Sequence, residues 1–316
     1  MEQVIEQPVS DTVFLEANTI EMSKREISDK HIIPVFSKSN EPLISHLDLI
    51  ESVEEAISIS LPAKAYNAPQ IRVSHAVKGR VPNARHKRAE ELLENEITLY
   101  YERMAFFVEV PEISHRIGSN DVSLSIGAVK AYNLDNVSSR NENNQLFKFF
   151  IGFKNQVCTN LCISTDGYID SFKTGDKGEL LNIIIALIQN FKLESEINAL
   201  QEFNKVILTE REFVNVIGRL KLFLNLPLEA QRQIFDYKIS ITESQLSALV
   251  KSYVQDSNFG YNSGSGFSVW KLYNLLTGSI KSSYADNYID RSVFSYELSH
   301  CLCEAITSNR SSWFLE

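Results

Sequence analysis

The motifs that would announce a chemistry are missing from this sequence. No GxxxxGK[ST] phosphate cradle occurs and no GxGxxG follows a strand-like run, which excludes the common nucleotide-binding loops. Gly264 to Ser268 has the outline of a nucleophile elbow, but Gly266 stands where the serine belongs and no strand leads in, so a loop is expected. Cysteine is scarce, at four residues. Cys158 and Cys162 would share a strand face about 13 Å apart, and Cys301 and Cys303 would point about 200° apart on a helix. Neither pair spans one tetrahedral ion, so buried free thiols are expected, with no metal and no cofactor. His31, His46, His115 and His300 are isolated and lack ligand spacing. Long apolar runs are missing too: away from the strand core, Leu180 to Ile188 is too short to cross a bilayer. The N-terminus is acidic, without a cationic stretch leading into an apolar one, so the expectation is no secretory signal, no membrane and a cytoplasmic address.

What is present is an ordinary globular composition, 44% apolar and 22% charged over 316 residues, ample for a sizeable core. The densest apolar run is Leu146 to Gly167. Phe147, Phe149, Ile151 and Phe153 alternate onto one strand face, and Val157, Thr159, Leu161 and Ile163 keep the same parity after a break near Asn155-Gln156. Phe150, Cys158 and Cys162 fall on the other parity, as in a strand buried on both faces. Asn160, on this buried stretch, is expected to satisfy neighbouring backbone groups.

Upstream, Glu102–Val110 alternates until Pro111, and Asp121–Asn133 alternates as well. His31 to Phe36 has strand composition, with Pro34 suggesting an edge. Helical spacing marks Ser45 to Ile59, Leu180 to Phe191, Leu193 to Phe203 and Asp290 to Ile306. Thr209 with Glu212 and Thr242 with Gln245 are capping boxes for two more helices, and Ser268 to Thr277 stops before Gly278. Strands come first and helices second. The expected class is therefore α+β: an antiparallel sheet-bearing N-terminal half followed by a mostly helical C-terminal half. The expected organisation is an acidic, mobile leader over 1–30, a sheet-bearing region over 31–175 and a helical region over 176–316 packed on the sheet as one domain.

Charge is unevenly spread. Residues 1–60 carry a net −8, leaving about −1 for the rest of a chain whose total is −9. Arg72 to Arg88 holds six Lys/Arg and no acid. Gly79 and Pro82 favour a turn, hence a hairpin or extended arm there. A short helix, Lys87 to Asn95, is expected to follow with Glu90, Glu91, Glu94 and Glu96 on or beside it. Arg72, His75, Lys78, Arg80, Arg85, Lys87 and Arg88 form a candidate phosphate-contacting set, with Tyr66, Tyr100 or Tyr101 available to stack on bases. The competing reading pairs these cations with the nearby glutamates and the acidic leader. The leader could also lie over the strip as a phosphate mimic and lower nucleic-acid affinity.

The segments IRVSHAVKGRVP, LYYERM, FIGFKNQVCTNLCISTDGY, WKLYNLLTGSIKSSYADNYIDRS and WFL resemble a Bacteroidota family catalogued as domain of unknown function 3871. A wider set of phage- and plasmid-like bacterial proteins is similar in two tracts. Val157-Cys158-Thr159-Asn160 matches the first, with Leu161 in place of a glycine. Trp270, Leu272, Tyr273, Asn274 and Thr277 match the second, with Lys271 in place of a glycine. The resemblance implies a bacterial, mobile-element setting and carries over no catalytic residue. Three readings follow: a non-enzymatic protein binding DNA or RNA through 72–88; a metal-dependent enzyme on nucleic acid or nucleotides using Asp166 and Asp170; or an adaptor that binds protein through the helical half.

Overall fold

The computed structural model describes residues 13–30, 44–84, 86–135, 145–235, 241–261 and 266–316. In chain order, β1 (Thr19–Met22) and α1 (Lys24–Lys30) precede α2 (His46–Ser60). Then come β2 (Gln70–Ser74), β3 (Ala76–Arg80), β4 (Ile97–Tyr101), β5 (Arg103–Ile117), β6 (Asn120–Ala131), β7 (Gln145–Asn155), β8 (Leu161–Cys162) and β9 (Tyr168–Thr174). The helical half follows with α3 (Lys177–Asn190), α4 (Leu193–Lys205), β10 (Ile207–Leu208), α5 (Glu210–Leu224), α6 (Leu228–Ile234) and α7 (Glu243–Gln255). It closes with β11 (Phe267–Ser268), α8 (Val269–Ser279) and α9 (Ala285–Thr307). The fold is α+β.

The main sheet is antiparallel throughout, ordered β1-β2-β5-β6-β7-β8, with β9 also on β7. Both faces are buried, for reasons legible in the alternation. Met104, Phe106 and Val108 on β5, Leu124, Ile126 and Ala128 on β6, and Phe149, Ile151 and Phe153 on β7 belong to one large cluster with α2, α3, α4 and α8. The opposite face carries Ala105, Phe107, Val129 and Phe150, packed with Phe14, Leu15 and the first turns of α9. That face also buries Glu109. Burial alone would raise its pKa, but hydrogen bonds from Ser123 and Gln156 and the Lys154 ammonium at 3.0 Å hold it below the ordinary carboxylate value.

The capping boxes expected at Thr209/Glu212 and Thr242/Gln245 both form, and Ser45 with Asp48 makes a third at the start of α2. Four expectations need correction. Pro111 does not end β5: lacking an N–H, it falls in a register shift between Val110 and Ser114, and the strand continues to Ile117. Lys87–Asn95 is not a helix but two short 3-10 turns, Ala89–Glu91 and Glu94–Glu96. Leu161 and Ile163 do not share the face of Phe153. The chain reverses at 156–160, so Cys162 lies opposite Phe153, and Leu161 and Ile163 join the other cluster. Part of the 1–30 leader is built into the fold: Phe14 and Leu15 are core residues and β1 pairs with β2, while residues 1–12 lie outside the described residues. The strand expected at His31–Phe36 also lies outside them.

Candidate functional site

The cation-rich strip is built on one long hairpin. β2 and β5 pair with Gln70 opposite Phe107 and Val73 opposite Met104; β3 and β4 pair with Ala76 opposite Tyr101 and Arg80 opposite Ile97. The register runs from one ladder to the next without a slip, so β3–β4 continues β2–β5 outward. β6 leaves β5 at Arg103, and β1 reaches only Ser74 on β2. Past those residues the ribbon has no sheet neighbour among the described residues. It forms an arm of roughly 17 Å at about 3.4 Å per residue. Val77 opposite Tyr100 fits the preference for β-branched and aromatic cross-strand pairs.

The arm's two faces differ. Residues opposite one another share a face, so Lys78 and Arg80 stand with Ile97 and Leu99. On the other face Thr98 is buried and Val77 is 39% exposed; on the cationic face Leu99 is 42% exposed and Ile97 36%. Lys78 is exposed. Arg80 donates to the Lys87 carbonyl at 2.6 Å. Lys87 pairs with Glu96, whose pKa is lowered first by the Leu93 N–H it accepts from and then by this ammonium. Arg88 is exposed and only its backbone N–H reaches Glu91. Arg72 sits lower, in the main sheet, opposite Glu21 and donating to Thr19 Oγ1 and O at 3.1 and 2.9 Å. His75 is exposed where β2 passes into β3. Arg85 lies outside the described residues.

Thus Lys78 and Arg80 on the arm, and Arg88 in the loop that follows it, have no carboxylate at ion-pairing distance among the described residues, while Lys87 and Arg72 are engaged elsewhere. The proposed stacking rings are not presented. Tyr101 is 4% exposed, with its carbonyl accepting from His46 Nε2, Tyr66 packs against the core, and Tyr100 is half-buried.

A second arrangement unites the two tracts of the wider resemblance. Asn155 Nδ2 donates to Asn274 Oδ1 and Asn160 Nδ2 to the Asn274 carbonyl, both at 2.9 Å. Asn274 Nδ2 caps the Trp270 carbonyl, and Trp270 Nε1 donates to Asn120. Lys281 donates to the Cys158 carbonyl and, at 3.2 Å, to Thr159 Oγ1. Thr159 sits at φ 55, a left-handed conformation that a β-branched residue adopts only when its surroundings over-determine it. Asn160 satisfies a backbone acceptor through its Nδ2, while its Oδ1 is buried without a hydrogen-bond partner among the described residues. The tight turn at 155–160 is therefore fastened to α8, residues far apart in sequence. Burial pushes the Cys158 thiol up to about 11, so it is not a thiolate nucleophile near neutrality.

Asp166 and Asp170 have different partners. Asp170 pairs with Lys148 at 3.1 Å and accepts from Tyr168 at 2.9 Å. Asp166 is exposed beside the Glu196–Tyr296 pair. Among the described residues no His, Cys, Asp and Glu side chains group to hold a metal ion. No described helix is long and apolar enough to cross a membrane. Sequence reading missed Ile97, Leu99 and Asn155. The only signal for the first two was the alternation Ile97-Thr98-Leu99 after the acidic cluster.

This α+β chain, with a hairpin arm rising from its sheet, belongs to a family of unknown function. The family is described as "Domain of unknown function, B. Theta Gene description (DUF3871)", and residues 2–315 match it. No curated protein and no solved structure matches the chain.

Proposed function

We propose that the protein binds nucleic acid through the β3–β4 arm. The observation that carries this reading is the shared face of Lys78, Arg80, Ile97 and Leu99 on a ribbon whose two edges are both open among the described residues. Cations free of internal carboxylates release condensed counterions when they meet phosphates, and this drives binding. The aliphatic pair beside them excludes water from the same contact. The bacterial, mobile-element setting that the resemblance implies and the cytoplasmic address expected from the sequence suit such a role. Among the described residues the acidic leader meets the strip at its base: Glu21 faces Arg72, and Glu16 adds charge there.

Gel retardation tests the reading with the double variant Lys78→Glu, Arg88→Glu. Both side chains are exposed, so the fold is expected to persist while retardation falls by at least about tenfold. Unchanged retardation would refute the arm as the contact.

A further inference from the structure

Resting on that reading, we infer that the arm's partner is double-stranded DNA, taken through the major groove, rather than a single strand or an RNA duplex. Three observations converge. The first is shape. The B-form major groove, about 12 Å wide, admits a two-stranded β-ribbon. The outer ribbon is such an element, with no third strand on either edge among the described residues to widen it. The deep, narrow major groove of A-form RNA admits no such insertion.

The second is what the arm lacks. Single-strand binders stack bases on exposed aromatic rings. Here Tyr101 is buried, Tyr66 packs on the core and Tyr100 is half-buried opposite Val77.

The third is what the arm offers. Ile97 and Leu99 give aliphatic surface suited to thymine methyl groups in the groove floor. Lys78 and Arg80 on the same face, with Arg88 in the following loop, reach for the flanking phosphates.

The experiment is fluorescence anisotropy of the full chain at low salt. Three labelled probes of one sequence, about twenty units long, are compared: duplex DNA, duplex RNA and single-stranded DNA. Duplex DNA is expected to bind about tenfold more tightly than the other two, and Leu99→Glu to weaken it by about tenfold with an unchanged melting temperature. Equal or tighter binding of single strand or RNA overturns this inference and leaves the nucleic-acid reading standing. Duplex binding that Leu99→Glu leaves intact overturns groove insertion, and no binding of any probe overturns both.

Discussion

Lys130 shows how far one side chain can depart from its ordinary chemistry here. It is fully buried on β6, with its ammonium 4.5 Å from the Phe147 ring centroid and 5.1 Å from that of Tyr132. Burial draws its pKa down to about 8, opposed by Asp135, whose carboxylate oxygens lie 2.6 and 2.7 Å away. Free lysine titrates near 10.4, so between about pH 8 and pH 10 the unfolded chain holds the extra proton. Stability is therefore penalised below that window and recovers as pH rises through it. At about 1.36 kcal/mol per pH unit, the recovery is up to roughly 3 kcal/mol. Denaturant melts of the natural chain and Lys130→Met, at about pH 7 and pH 10, are expected to diverge in favour of the natural chain at the higher pH. Parallel behaviour would show that the lysine keeps an ordinary pKa.

At the scale of elements, the turn at 155–160 and helix α8 act as one unit. Asn274→Leu takes away the acceptor for Asn155 and one for Cys158. Leaving a buried amide unpaired costs about 1–3 kcal/mol. A loss of that size in equilibrium unfolding is expected, and none would mean the network contributes nothing. Both tracts of this unit could be seen in the sequence, but their meeting could not. Asn160 and Asn274 are 114 residues apart, and only the packing of α8 against the end of β7 brings them together. Local signals did better: the capping serine or threonine of a helix bonds within four residues, so Thr209 and Thr242 marked their helices correctly. The arm was half legible. Gly79 and Pro82 announced a hairpin or extended arm, but the glutamates at 90–96 suggested a helix and hid the partner strand Ile97–Tyr101. Hairpin pairing across a sixteen-residue loop leaves little local trace.

For the molecule as a whole, the net charge of −9 says little about partners, because cations and acids are segregated. The leader's acids are partly structural in placement: β1 covers the β2 edge, and Phe14 packs edge-on against Phe107 at 5.0 Å. Removing residues 1–30 would therefore strip core as well as charge, which makes charge changes on the arm the cleaner probe. The most direct test of the central claim is the salt dependence of duplex DNA binding by the natural chain and by Lys78→Ala. If Lys78 neutralises a phosphate, the slope of log affinity against log salt is expected to be shallower by about one in the variant, with weaker binding at low salt. Identical slopes and affinities would contradict the claim that this arm meets nucleic acid.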